Sequence, residues 1–479
     1  MNFDLNFIDI LYIFKIFMKI IIFLLLLFTI IVAILISRSA QGAIAWLISL
    51  ITFPYLSIPI FWILSCPKFG GYIIKKNFYK EKLIKKINLY YLNHLKSNTN
   101  VNVKLVEKLA NLPLTKANAA KLLINGYISF KSMFNGIKRA KKYILIQFFI
   151  IKNDKVGQTL KNMLISSVKK GVKVFFIYDQ IGSHKLSFKF IKELRKAGIN
   201  IFNFGSCNGW KNILNINFCN HRKLVIIDGK EGWTGGLNIG IEYLGRNKKL
   251  GYWRDTHLHI IGPSVLCLQE IFLEDWFWTT GKKLKNLNWK PIISKFKNQN
   301  IIMVPTGPIY NINNASLLIQ NAINLAKKKF WITSPYFLPD QSVIDSLKLA
   351  ALRGVDVKII IPERTDQLLV YLSTFSFLSD LIKSGVKIYK YIKGFLHQKV
   401  MLIDDHTASV GTMNLDNRSF RLNFEITAYI IDSEFAKDVN YMLKQDLLSC
   451  RLIRLNEINC RSLIKKLISR AAFLASPIL

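Results

Sequence analysis

Two short segments of this chain carry the residue types needed to move a phosphoryl group. The first reads His221-Arg222-Lys223-Leu224-Val225-Ile226-Ile227-Asp228 and is followed by Gly235 and Asn238. The second reads His397-Gln398-Lys399-Val400-Met401-Leu402-Ile403-Asp404 and is followed by Gly411 and Asn414. In both, the lysine stands two residues after the histidine, the aspartate seven, the glycine fourteen and the asparagine seventeen. One His-x-Lys pair carries little weight in so lysine-rich a chain. Two copies matched at five positions, among only seven histidines in all, carry a great deal. In extended backbone residues i and i+2 point the same way, so each histidine shares a face with its lysine. Asp228 and Asp404 fall an odd step away, which suits bracing a turn better than touching a substrate. Asn238 and Asn414, set back after a glycine-rich turn, can reach over to the same pocket.

The chemistry this set suits is phosphoryl transfer with no metal and no cofactor. Two ammonium groups (Lys223, Lys399) and two amides (Asn238, Asn414) can hold the non-bridging oxygens of a phosphodiester and stabilise charge in the transition state. One imidazole can attack phosphorus while the other protonates the departing oxygen. Each ring needs a partner on its second nitrogen to fix tautomer and orientation. The candidates are Asp255 and Glu425, 34 and 28 residues after the histidines of their own repeats, so that either can return on a neighbouring strand. The six cysteines show neither a CxxC nor a paired metal spacing. That argues for no disulfide framework and no zinc site, and it suits a reducing compartment.

The elements around the motifs also repeat. Tyr143–Ile151 is a buried-strand run, Val156–Lys169 has helical spacing and Val172–Tyr178 is a second strand. The same order returns as Phe330–Phe337, Gln341–Leu352 and Val355–Ile361. Ala117–Ala140 also has helical spacing. The expected fold class is α/β, with two tandem halves at 117–290 and 291–445 behind a connector at 68–116. In the C-terminal amphipathic segment 446–479, Leu463, Ile464, Leu467, Ile468, Ala471 and Leu474 share a helical face, with Lys465, Lys466 and Arg470 elsewhere. That pattern fits an interfacial helix or, equally, one packed on the domain.

Residues 1–67 are expected to anchor the chain in a membrane. Ile20–Ser37 is a run of 18 uncharged residues, and a second uncharged run covers Ser39–Pro67. Each approaches or exceeds the roughly 20 apolar residues a crossing helix needs. The expectation is a transmembrane helical hairpin whose second arm, with Pro54 and Pro59, is kinked or partly re-entrant. A buried core helix and, for the first run, a cleaved signal peptide are the competing readings. Lys15 and Lys19 flank the first run, Lys68, Lys75, Lys76, Lys80, Lys82, Lys85 and Lys86 follow the second, and only Arg38 lies between. The positive-inside rule then places both ends in the cytoplasm with 38–42 as an outside turn. Hydrophobic residues are 51% of the 479, which excludes a disordered chain, and the formal net charge is +38. Part of that charge is compositional bias, and the rest favours an anionic surface.

With these residues in place, the chain resembles the phospholipase D superfamily, in its bacterial cardiolipin synthase branch. The resemblance rests on the paired HxKxxxxD elements and their flanks. These flanks are Tyr178-Asp179 with Gly182-Ser183, Asn220–Gly236, Tyr252–Thr256, Thr306-Gly307-Pro308, Ser334–Asp340, Gly394–His397, Gly411–Ser419, Asn423–Glu425 and the final Ser476–Leu479. It covers nearly the whole chain. It implies two tandem phospholipase-D-like α/β halves related by a pseudo-twofold, with both motifs at one active site. The implied reaction moves a phosphatidyl group from one phosphatidylglycerol to another at an anionic phospholipid membrane, giving cardiolipin and glycerol. By position, His221 is then the nucleophile and His397 the general acid. Lys223, Lys399, Asn238 and Asn414 hold the phosphate, and Asp228 and Asp404 complete the catalytic motifs. The implied location is the bacterial inner membrane, multi-pass, with a cytoplasmic catalytic domain. Gln147 departs from the family, standing where a glutamate is common, and the loop between the apolar runs is short.

Three other functions compete. A related hydrolase shares the first half of the reaction and differs only in using water to resolve the intermediate. A membrane-tethered nuclease would use the basic charge, but two apolar runs and no aromatic stacking platform speak against nucleic acid. A non-catalytic scaffold is hard to reconcile with two intact motifs.

Overall fold

Seven strands of the first half recur in the second in the same spatial order. The computed structural model describes residues 7–37, 39–65, 103–204, 218–246, 251–294, 297–310 and 312–476. The first half contributes β1 (Thr115–Ile124), β2 (Tyr143–Phe148), β3 (Lys173–Asp179), β4 (Asn200–Phe204), β5 (Cys219–Asn220), β6 (Leu224–Ile227), β7 (Glu231–Gly235), β8 (Tyr252–Arg254) and β9 (Thr256–Ile261). The second contributes β10 (Gln299–Thr306), β11 (Lys329–Thr333), β12 (Phe337–Leu338), β13 (Asp356–Pro362), β14 (Lys387–Tyr391) and β15 (Gly394–Leu396). It continues with β16 (Val400–Ile403), β17 (Thr407–Gly411), β18 (Leu415–Asp416), β19 (Asn423–Ile431) and β20 (Cys450–Leu452).

Reading inward from one edge, the first half runs β4-β3-β2-β6-β7-β9-β1. From the other edge, after β20, the second runs β14-β13-β11-β16-β17-β19-β10. The outer three strands of each half are parallel and the inner four antiparallel. β1 and β10 join the halves antiparallel, with Thr115 opposite Ile301. A pseudo-twofold therefore passes through that seam. The helices Lys155–Lys169 and Gln341–Leu352 occupy equivalent crossovers between parallel strands. All six residues of β2 are buried, which is why they read as a continuous apolar run rather than an alternating one.

One expectation needs correction. The segment 117–140 is not one helix. Its first part belongs to β1, and the helix is Asn125–Arg139. The β1 sequence TKANAAKLLI favours a helix by composition, but it is the seam strand, paired on both sides, and those pairings override local preference. The connector expected at 68–116 lies outside the described residues up to 102. From there a short helix, Lys104–Ala110, leads into β1.

The N-terminal unit has one crossing-length helix and a second apolar run that is broken, as its prolines imply. Helix α1 (Phe7–Ile36) contains a stretch, Leu11–Ile36, that is long and apolar enough to cross a bilayer. The second apolar run forms two helices, α2 (Ala40–Thr52) and α3 (Pro54–Leu64), broken at Phe53. α3 folds back on α2. The Ser57 hydroxyl donates to the Ser49 carbonyl at 2.8 Å, and the Trp46 and Phe61 rings meet edge-on at 5.1 Å. Those rings would be about 22 Å apart along a continuous helix. At 13 and 11 residues, α2 and α3 are each too short to span roughly 30 Å of hydrocarbon. Trp62 closes the unit by donating to Thr29 of α1 at 3.2 Å.

Candidate active site

Each histidine sits in the extended approach to a buried strand, His221 before β6 and His397 before β16, and each is clamped by the other half. β5 pairs in parallel with the start of β19, and His221 N–H donates to the Phe424 carbonyl at 2.9 Å. β15 pairs in parallel with β8, and His397 N–H donates to the Arg254 carbonyl at 2.8 Å. Both rings line one cavity of about 590 Å³, which Asn238 and Asn414 also line. An aromatic ring of the first half lies against each histidine. Phe149 lies against His221 at 5.0 Å and Trp253 against His397 at 5.1 Å, centroid to centroid.

The orienting carboxylates are exchanged between the halves. His221 Nδ1 is 2.9 Å from Glu425 Oε2, and His397 Nδ1 is 2.7 Å from Asp255 Oδ2. The sequence reading paired each histidine with the acid of its own repeat, and that pairing is corrected. The cause is the strand exchange just described: Asp255 follows β8, which pairs with β15, and Glu425 lies in β19, which pairs with β5. Glu425 is also held by the Ser419 hydroxyl at 2.9 Å and by Thr412, and Asp255 by the Thr256 N–H at 2.8 Å. With Nδ1 held by a carboxylate in each ring, Nε2 is the nitrogen free of a carboxylate partner.

Burial dominates the electrostatics. It pushes His221 down to about 4, with Glu425 opposing and Lys223 assisting. It pushes His397 down to about 3, assisted by Lys399 and opposed by Asp255. Both imidazoles are therefore neutral at neutral pH. Burial also lowers Lys223 to about 7, against the pull of Glu425, and Lys399 to about 8, against that of Asp255. Burial alone would raise Asp255 and Glu425, but the facing histidines and lysines outweigh it and hold both carboxylates below their usual range.

The lysines do not form the cavity wall. Lys223 Nζ donates to the His221 carbonyl at 2.6 Å, and Lys399 Nζ lies 3.1 Å from both ring nitrogens of His397. Their charges nonetheless reach across the site, since each histidine is affected by both lysines. The two asparagines differ. Asn238 is committed, accepting from Ile150 N–H at 3.1 Å and donating to the Tyr243 hydroxyl at 3.0 Å. The side-chain oxygen of Asn414 is buried without a hydrogen-bond partner among the described residues, an unmet acceptor that a substrate hydroxyl can satisfy.

Asp228 and Asp404 stand away from the cavity, at the far ends of β6 and β16. Asp228 accepts from the N–H groups of Lys141, Lys142 and Tyr143 at 2.8–2.9 Å, and Asp404 from those of Lys328 and Lys329 at 2.8 and 2.9 Å. Both have left-handed backbone, φ +54 and +50. They tie each motif strand to the start of its neighbour, so their inclusion with the catalytic groups is corrected to a brace.

Sequence reasoning missed the layer beneath the histidines. Arg222 makes a forked contact with Asp275 at 2.8 and 2.9 Å, and Gln147 and Asn220 donate to the same carboxylate. In the other half Gln398 donates to Asp446, which also pairs with Arg254 of the first half at 2.6 and 2.8 Å. The residue between each His and Lys is thus anchored to a helix aspartate. The available signal was buried acids inside a largely apolar helix, as in Phe272-Leu273-Glu274-Asp275-Trp276. Gln147, the departure from the family, serves as a neutral donor here.

Comparison with known proteins agrees with this geometry. The family described as "Cardiolipin synthase, PLD-like domain" matches residues 133–276 and 319–447. The chain is 39% identical over 459 residues to "Cardiolipin synthase A" of Pseudomonas fluorescens, covering 93% of this chain and 95% of that protein. It is 40% identical to the protein of that name from Pseudomonas syringae pv. syringae, with the same coverage. Its fold resembles the phosphatidylserine synthase of Haemophilus influenzae, with TM-score 0.61 and 16% identity over 78% of this chain and 99% of that one. The two equivalent motifs, their shared cavity and this likeness along the chain make it a member of the cardiolipin synthase family within the phospholipase D superfamily.

Proposed function

We propose that this protein transfers a phosphatidyl group from one phosphatidylglycerol to the free glycerol hydroxyl of a second, releasing glycerol and forming cardiolipin. The observation that carries the reading is the shared cavity, into which two neutral imidazoles face, each fixed by a carboxylate of the opposite half. His221 Nε2 attacks phosphorus. The bond to the glycerol oxygen breaks, that oxygen keeps the electron pair, and His397 supplies its proton. The incoming phosphodiester opposes the depression of His397, because an anion beside the ring favours the imidazolium. The acceptor hydroxyl then gives its proton to His397 and attacks phosphorus, and the electron pair of the P–N bond returns to His221. The Nδ2 amide of Asn414 and the second N–H of Asn238 Nδ2 donate to non-bridging oxygens, while Lys223 and Lys399 supply positive potential from behind the rings.

The substrates place the reaction at an anionic membrane, here a bacterial inner membrane. The lysines from Lys68 to Lys86 favour a cytoplasmic catalytic unit. With α1 as the single crossing the N-terminus would lie on the far side, whereas a second crossing within 39–67 would return it to the cytoplasm. Product analysis with purified protein and phosphatidylglycerol tests the reaction. Cardiolipin with equimolar glycerol is expected, and phosphatidic acid as the main product would assign a hydrolase.

A further inference from the structure

The last helix of the catalytic unit is packed inside out. We label Leu368–Thr374 α4 and Leu463–Leu474 α5. A helix on a globular surface normally buries its apolar stripe. α5 instead turns the small residues Ser469 and Ala472 inward, at 2% and 6% exposure. Its leucine face points out, with Leu463 and Leu474 each 82% exposed and Ile464 and Leu467 each 71%. The seating is specific. The Ser376 hydroxyl donates to the Ser469 carbonyl at 3.1 Å, Phe377 meets Phe473 at 6.2 Å, and Arg461 lies over the Phe375 ring at 4.0 Å.

This outward face adjoins the catalytic cavity. After α5, the Ser476 carbonyl accepts from the Asn417 amide at 3.1 Å, and the neighbours of Asn417, Asp416 and Arg418, line the cavity. α4 packs against α5 and begins directly after Asp366 and Gln367, which also line the cavity, and its Leu368 and Leu369 are exposed. An apolar patch thus extends along α5 to the cavity rim. Lys465, Lys466 and Arg470 lie on the same helix, which has no acidic residue.

We propose that α5 and the start of α4 form a bilayer-docking surface, whose occupant is an anionic phospholipid membrane. The leucine face enters the headgroup–acyl boundary, the cations meet lipid phosphates, and the cavity rim is held at headgroup depth. Acyl chains can then remain in the bilayer while only headgroups enter the site. The proposal rests on the lipid-transfer reading above, and its test separates the two.

Full-length protein is reconstituted in nanodiscs containing phosphatidylglycerol, with the photo-cross-linker p-benzoylphenylalanine at Leu467 or, as control, at the exposed Tyr441. Lipid adducts several-fold more frequent at 467 are expected. Adducts to a second copy of the chain, or lipid adducts no more frequent than at 441, overturn the proposal. This readout needs no turnover, so failure of the transfer reading shows separately, as absence of cardiolipin from the unmodified protein. The triple variant Leu463→Ser, Leu467→Ser, Leu474→Ser is expected to lose about tenfold in rate on vesicles. On monomeric short-chain phosphatidylglycerol it should keep a rate within about twofold of the parent, which also reports correct folding. Unchanged rates on vesicles overturn the proposal.

Discussion

Exchange of the carboxylates assigns different defects to two similar substitutions. Asp255→Asn should impair proton transfer by His397, and Glu425→Gln should impair nucleophilic attack by His221, each by about 10²–10⁴-fold in kcat with native glycerol as leaving group. A donor with a leaving group too acidic to need protonation should rescue Asp255→Asn but not Glu425→Gln. Rescue of the opposite variant would mean that each carboxylate serves its own half. The depressed histidines give a second test. Since His221 at about 4 and His397 at about 3 are neutral before substrate binds, binding of a phosphodiester headgroup at pH 6 should take up protons from solution. Calorimetry in buffers of different ionisation heat measures that uptake, and none would contradict the electrostatic account. On the alkaline side, kcat/KM should fall as Lys223, at about 7, and Lys399, at about 8, lose their charge. Because the positive charge in this account is lysine-borne, the rate should survive excess EDTA, and a strict need for a divalent ion would contradict it. At this scale the sequence made the histidines, lysines and asparagines legible because their spacing repeats. The pairing of acids with histidines was not legible, because spacing along one half carries no information about a strand lent by the other.

At the scale of elements, the exchange depends on two very short parallel pairings, β5 with β19 and β8 with β15. Gly394 shows how close the second is: a Cβ there would lie 2.1 Å from the Tyr252 carbonyl oxygen. Gly394→Val should therefore separate β15 from β8 and move His397 relative to Asp255. We expect a loss of roughly 1–3 kcal/mol, seen as a lower thermal midpoint, and a larger loss of activity. An unaltered midpoint and rate would mean the clamp is dispensable. The parallel strands and their crossover helices were readable from apolar runs bounded by lysines and glycines. β1 was not, because its residues favour a helix and only its two partners make it a strand. The short clamping strands were equally silent, since two or three residues carry no periodicity.

At the scale of the molecule, two halves with the same strand order make one site that neither completes alone. The N-terminal unit tests another whole-molecule reading. Apolar length suggested two crossings and the prolines a kink in the second, but hydrophobicity alone does not reveal that Trp46 then meets Phe61. Reporter fusions at the two termini in cells should lie on opposite sides of the membrane, with the C-terminus cytoplasmic, and both termini on one side would restore the two-span reading. The central claim is that two imidazoles, one from each half, act in different roles on one phosphorus atom. Rapid quenching with phosphatidylglycerol, followed by peptide mass mapping under conditions that preserve phosphohistidine, tests it most directly. The account predicts a phosphatidyl adduct on His221 that accumulates in His397→Ala and is absent in His221→Ala. An adduct on His397, or adducts on both histidines of one molecule, would contradict it.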